Sequence, residues 1–447
     1  MIIRRDMEPT DINLDDVSPR GFLDDKNHVF RTTPNGERWR ARPPAFLYQN
    51  VMWPMGSTPG KPSAHASSII KGPLEDGIQT LYSTFHWGPG EGQLGEIHAL
   101  VRIWYDVDRA LKFARDHRRY PADPADFDPF EPNENPMFNY DGPHVIADSS
   151  SKGRCHGNSS PYWDPATGTF HLWYTTFVPG KLQPSNQNEP EPRDIDPRAL
   201  TARRIFYKFS TDPEPWTDLG KWSEPVEWSD QLGLWARSPP VVIDDGGDEV
   251  WLIAHNDETT WMPEFGNDWT VRFAISTDKG KTWEFSKRYG IETLPDPPMK
   301  RGKPRGGIIQ PSVVQLSDGS LYCLCRSHRG YIVELRSVEG GRLGLDWTTP
   351  VDTMLPNNNS GICQSRLTTD AKSNDHLMLI YNPVQYRRTP VSIAESLDGG
   401  KSWRCLFDLR DEQGELSYPW ILQTADGLVH CTYTLHRMVI EHDVFLP

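Results

Sequence analysis

Two stretches of this chain obey one pattern. Ser276-Thr277-Asp278-Lys279-Gly280-Lys281-Thr282-Trp283 and Ser396-Leu397-Asp398-Gly399-Gly400-Lys401-Ser402-Trp403 both read S-x-D-x-G-x-[TS]-W, and each follows an alternating strand, VRFAI and VSIAE. Weaker copies run from Ser210-Thr211-Asp212 to Trp216 and from Ser337 through Gly341 to Trp347. The two strong copies lie two units of about 60 residues apart, the period of a stacked supersecondary unit. The physics is that of a hairpin turn. Asp accepts from backbone N–H groups of its own turn, Gly takes a positive φ, and Trp packs between neighbouring sheets. Asp278 and Asp398 are therefore read as structural.

Between these turns lie more strand pairs, several with Asp-Gly turns: SSIIKGPLEDGIQTLYSTF, YWDPATGTFHLWYTT, PPVVIDDGGDEVWLIAH, VVQLSDGSLYCLCRS and ILQTADGLVHCTYT. Strand–turn–strand units at steady spacing without helical periodicity predict an all-β chain, a single β-propeller of six or seven blades. Forty Pro and 35 Gly fit many turns and few long helices. Hydrophobic residues are only 36%, but 17 Trp, 15 Tyr and 17 Phe supply the buried area a core needs. Segments 106–140 and 180–200, rich in Pro and Asp, read as long surface loops; residues 1–45 read as an arm packing on a propeller of residues 46–447. Six cysteines lack paired spacing and read as reduced core residues; Cys323 and Cys325 stand too close along one strand for an ordinary bridge.

A net charge of −14 argues against nucleic acid or an anionic membrane as partner, though a few pocket arginines can still attract an anionic small substrate. No run approaches about 18 apolar residues, so no spanning helix is expected. The start, MIIRRDMEPTDINLDD, has no apolar signal core, which leaves a cytoplasmic protein or a secreted, trimmed one both open. A monomer is expected.

A propeller's functional site lies where the inner strands converge. Polar residues read as opening the first strand of each unit are His65, His86, Arg154 with His156 and Asn158, Arg237, Gln310, Arg326, Asn359 with Ser360, Arg387 and Arg388, and Tyr418; Trp87 and Glu91 stand near His86 in sequence. Such residues are unusual at the mouths of apolar strands.

The repeat resembles the Asp-box, or BNR repeat, of sialidases. Those enzymes grip a carboxylate with three arginines and use a Tyr nucleophile paired with Glu, plus an Asp acid. By that resemblance Arg326 falls at the second arginine, Arg388 (or its neighbour Arg387) at the third, and Tyr418 at the nucleophile. The departures are informative. His65 stands where the first arginine would be, Gln310 where the Glu would be, and Gly95 nearest the acid. A Tyr without a base is a poor nucleophile at its ordinary pKa of about 10.

The phrases HASSII, IIQPS, PNNNSG, YNP…RTP and SYPWILQTADGLVH resemble one branch of these propellers over roughly residues 60–445. That branch includes L-rhamnose-α-1,4-D-glucuronate lyases, seven-bladed enzymes that remove terminal rhamnose from arabinogalactan-type glycans such as gum arabic. The resemblance implies seven blades, with six the alternative. It also implies β-elimination on an acidic glycan, with His86 as base, Tyr418 and His65 assisting, and Arg326 and Arg388 (or Arg387) on anionic groups. Gln310, Asn359, Arg154, His156, Asn158, Arg237, Trp87 and Glu91 are expected to line the pocket. Two other readings stay open: a sialidase-like hydrolase using Glu91 or Glu96, and a non-catalytic propeller that binds acidic glycans. No cofactor is indicated; a divalent cation such as calcium in the channel is left open, without a DxDxDG run to hold it.

Overall fold

The computed structural model describes residues 31–32, 38–39, 46–51, 63–116, 137–177, 203–230, 233–257, 261–262, 266–267, 269–290, 307–411 and 414–447. Within these, six antiparallel sheets follow one another around a ring. Blade 1 comprises Ser63–Glu75, Ile78–Gly88, Ile97–Asp106 and Asn139–Ala147. Blade 2 comprises Cys155–Asp164, Thr169–Phe177, Arg204–Ser210 and Val226–Glu227. Blade 3 runs from Leu234–Trp235 through Val241–Asp245, Asp248–Asp257 and Thr270–Ser276 to Glu284–Phe285. Blade 4 holds Ile308–Gln315, Leu321–Ser327, Tyr331–Arg336 and Val351–Pro356. Blade 5 holds Cys363–Arg366, Leu377–Tyr381, Val391–Ser396 and Arg404–Arg410. Blade 6 takes Leu416–Gln423, Val429–Leu435 and Val439–Leu446 from the chain's end, and its fourth strand, Phe46–Val51, from near its start.

The expectation of seven blades is thus corrected to six. Strand Phe46–Val51 pairs with Val439–Leu446, in register from Glu441↔Val51 to Leu446↔Phe46, and completes the last sheet rather than founding another. Segment 106–140, expected as a loop, carries a helix, Val107–Asp116, whose Ala110 and Ala114 are buried against blade 1. Residues 117–136 and 178–202 lie outside the described residues, as does most of the expected arm 1–45, of which only the ladder Arg31–Thr32 with Arg38–Trp39 is described.

The core is a ring of inter-blade clusters. The tryptophan of each repeat copy sits at successive interfaces: Trp216 between blades 1 and 2, Trp283 between 2 and 3, Trp347 between 3 and 4, and Trp403 between 4 and 5. A larger cluster joins blades 5, 6 and 1 and closes the circle. In the strong repeats Asp278 Oδ1 accepts from Ser276 Oγ and Thr282 N at 2.8 and 2.9 Å, and Asp398 Oδ1 accepts from Ser396 Oγ and Ser402 N at the same distances. Gly280 and Gly400 take φ of 84° and 85°. None of the six cysteines forms a disulfide, and Cys323 and Cys325 Sγ lie 3.7 Å apart. No helix among the described residues is long and apolar enough to cross a membrane.

Candidate functional site

The inner strands of blades 1, 2, 4 and 6 each break register near one end: between His65 and Ser68, His156 and Ser159, Ile309 and Pro311, and Ser417 and Trp420. A bulge bends its strand and re-aims a side chain. In three of these bulges a residue other than glycine is left-handed: Ala66 at φ 55°, Gln310 at 54° and Tyr418 at 52°. Each such residue costs on the order of 1–2 kcal/mol. Side-chain acceptors from neighbouring strands bond the bulged backbone, Thr434 Oγ1 to Ala66 N–H at 3.0 Å and Asn256 Oδ1 to Gln310 N–H at 2.5 Å. Strain held in this way, at one mouth of a channel, is a mark of function.

These bulges bring Tyr418 and Arg326 together. Arg326, from the second strand of blade 4 and 5% exposed, donates from Nη1 to the Tyr418 hydroxyl and to Gln310 Oε1, both at 3.1 Å, and from Nε to Asn359 Oδ1 at 2.8 Å. No carboxylate among the described residues forms an ion pair with it. Trp269 lies 5.7 Å from its guanidinium and stacks on His328. His65 meets the Tyr418 ring edge-on, with centroids 4.5 Å apart. Arg388 stands 5.7 Å from the same ring and donates to Glu415 Oε1 at 2.5 Å. Glu415 also accepts from Arg437 Nε at 2.8 Å, and Arg437 pairs in turn with Glu91.

The charges set the protonation states. Burial and the Glu91 carboxylate push the Tyr418 phenol up, but Arg326, Arg388 and Arg437 outweigh them and bring it below its ordinary value. Burial also raises Glu91, yet His65 and Arg437 hold it at about 2. His65 is itself neutral above about pH 3 because of its burial, so near neutrality Arg437 carries that effect. Against the same burial, Arg388, His65 and Arg437 keep Glu415 well below the carboxylate range. Both rim carboxylates are ionised at neutral pH. Glu96 differs: burial raises it, against the opposing pull of His86.

The other residues expected at the site divide. His86 lies opposite His65 on the next strand, 2% exposed, with Nδ1 3.2 Å from Glu96 Oε1. It stands behind His65 rather than against Tyr418. His156 stacks on Tyr174 and meets His98, and Arg154 donates to Thr176, so this pair belongs to blade 2 and does not bond the Tyr418 group. Asn158, 4% exposed, follows His156 on that strand. Arg237 is a floor rather than a wall. It is 1% exposed, lies 5.4 and 4.9 Å from the Tyr418 and Trp420 rings, and donates to the Ser67 carbonyl at 3.2 Å. Trp87 packs in the large apolar cluster instead of offering a face to a sugar. Arg387 is exposed, and Arg388 is the arginine beside Tyr418. Among the described residues no group of three or more His, Cys, Asp or Glu is arranged to hold a metal ion.

Sequence reasoning from strand openings missed Glu415, Arg437 and Trp269. Glu415 adjoins the SYPW phrase and was legible by proximity, whereas Arg437 comes from the turn after Val429–Leu435, the second strand of blade 6 rather than an inner one.

The fold and bulged mouth define a sialidase-like six-bladed propeller. The BNR repeat-like domain family matches residues 139–431, and the chain belongs to that family. Among solved structures it is similar to the Hadza microbial sialidase Hz136, at 14% identity and TM-score 0.58 over 87% of this chain and 66% of that one. It is similar to the intramolecular trans-sialidase of Ruminococcus gnavus, at 11% and 0.56 over 89% of this chain and 97% of that one. NanB sialidase of Streptococcus pneumoniae gives 10% and 0.58 over 89% and 70%. The chain therefore spans about two thirds of the first of these, and at such identities the likeness is one of fold. No curated protein sequence matches this one.

Proposed function

We propose that this protein is a carbohydrate-active enzyme that breaks a glycosidic bond at an anionic sugar by β-elimination. Its specific substrate would be L-rhamnose α-1,4-linked to D-glucuronate in arabinogalactan-type glycans. The observation that carries the reading is Arg326, a buried cation that among the described residues bonds neutral acceptors and the Tyr418 phenol. Burying an unpaired charge is costly. The pocket can offset that cost with a substrate carboxylate or with the phenolate of Tyr418.

Arg388 and Arg437 are matched by Glu415 and Glu91. With Arg237 beneath the Tyr418 ring, four arginines and two ionised carboxylates leave two net positive charges, which suit one substrate carboxylate together with the Tyr418 phenolate. A phenol pulled below its ordinary pKa is a base for the C5 hydrogen of a uronate, and a guanidinium on the carboxylate stabilises the developing enolate. Tyr418 thereby takes the role expected of His86, whose ring contacts that of His65 at 6.3 Å, while it is His65 that meets the Tyr418 ring.

A hydrolase reading has one observation in its favour, the same lowered Tyr418, which could attack carbon instead. One of its two candidate carboxyl acids, Glu91, is held ionised. Incubation with gum arabic decides, by following rhamnose release and the ultraviolet absorbance of an unsaturated uronate together. Both signals, lost in Tyr418→Phe, support elimination. Rhamnose without the chromophore means hydrolysis, and binding without either product leaves a glycan-binding propeller.

A further inference from the structure

A departing sugar oxygen needs a proton, and Glu91 and Glu415 at the rim are ionised. The interior of blade 1 holds another source. Glu96, 1% exposed, places Oε1 3.2 Å from His86 Nδ1 and accepts the Gly92 N–H on Oε2 at 2.7 Å. Nε2 of His86 and both ring nitrogens of His65 have no hydrogen-bond partner among the described residues, although each is buried. Leaving such atoms unsatisfied is costly, so native interiors bridge them, commonly by water. His65 and His86 are opposed across adjacent strands with rings 6.3 Å apart, and the far side of His65 meets Tyr418.

We infer that Glu96, His86 and His65 form a proton relay that ends at the leaving oxygen in the Tyr418 pocket, with Glu96 the positioning residue that fixes His86. The inference rests on the reading of this pocket as one that cleaves a glycosidic bond. When that bond breaks, its electron pair stays on the departing oxygen, which takes the N–H proton of His65. The other ring nitrogen of His65 takes the Nε2 proton of His86 through one water, and His86 Nδ1 takes the carboxyl proton of Glu96. Tyr418 has meanwhile accepted the C5 proton, so one proton has left Glu96 and one has reached Tyr418. Exchange with solvent restores both. Burial favours the protonated carboxyl of Glu96, and it keeps His65 neutral, able to give one proton and take another. The charged and titratable groups acting on His65 are Glu91, Arg437, Glu415 and His86.

The test compares two leaving groups. One substrate carries rhamnose at O4 of the glucuronate, and the other carries 4-nitrophenolate, which departs without a proton. In Glu96→Gln, which keeps an acceptor for Gly92, kcat on the rhamnosyl substrate should fall about 100-fold while the nitrophenyl substrate stays within about 3-fold. Retained nitrophenyl activity also shows that the variant folds. Equal losses on both, or none on either, overturn the relay. The unmodified enzyme supplies a second readout: a solvent deuterium effect on kcat of about 2 or more with rhamnose leaving and near unity with nitrophenolate. Unity on both overturns the relay, while a wild type that cleaves neither substrate overturns the reading beneath it.

Discussion

A phenol acts as a base only where something stabilises its anion, and at Tyr418 that is chiefly Arg326, 3.1 Å from the hydroxyl. Tyr418→Phe should therefore lower kcat/KM at least about 1,000-fold with little change in stability, measured by rhamnose release and a melting curve. Arg326→Gln keeps hydrogen-bonding capacity but removes the charge. In the wild type the rate should rise with pH to a plateau reached below the ordinary phenol value of about 10, because the phenolate form is the active one. In Arg326→Gln that rise should move upward, and a pH–rate profile left in place would show that Arg326 does not govern the phenol. Tyr418, Arg326, Gln310 and Asn359 were legible in the sequence because each is a polar residue set at an apolar strand's mouth. Arg437 and Trp269 were not, because no local pattern distinguishes a rim residue on a hairpin from an ordinary surface one. The position of His86 was harder to read. Its loop-like phrase FHWGPGEG continues the strand Ile78–Gly88, which carries the ring inward, one strand behind the pocket.

At the scale of elements, the repeated turn couples local backbone to blade packing. A Cβ added at Gly400 would fall 2.3 Å from the buried Tyr322 ring, at a φ of 85° that other residues rarely adopt. Tyr322 cannot give way, since it is fully buried and donates to Glu334 at 2.9 Å. Gly400→Ala should thus cost on the order of 2–4 kcal/mol in a denaturant titration, combining left-handed strain with overpacking. Gly246, also left-handed but with nothing within 4 Å of an added Cβ, should lose only about 1 kcal/mol as Ala, and equal losses would refute the packing part of the argument. The same turns made the hairpins readable, for Asp-Gly and Asp-x-Gly fix φ locally. Blade number is a different matter. It depends on which strand fills the last sheet, and FLYQNV does not reveal that its partner is VIEHDVFL, nearly 400 residues away.

For the whole molecule, closure of the ring and burial of histidines govern stability together. Removing residues through 51 would expose the backbone edge of Val439–Leu446, an unpaired edge that invites aggregation, and should lower the melting temperature by several degrees or more. Acid acts on the interior. Burial holds His65, His156 and His430 at about 3 and His171 and His255 at about 4, whereas the unfolded chain titrates them near 6.5. A folded pKa below the unfolded one means that the unfolded state binds protons first as pH falls. The stability these neutral rings allow is then whole above about pH 6.5 and is lost progressively down to the folded values. The rim carboxylates Glu91 and Glu415, also depressed, add their loss only below about 4.3. Urea midpoints measured from pH 7.5 to 4.5 should therefore be flat at first and then fall steeply below about pH 6, with more than one proton taken up on unfolding. A decline beginning only near pH 4.5 would assign acid sensitivity to the carboxylates alone and would mean that these histidines are not held neutral in the folded ring.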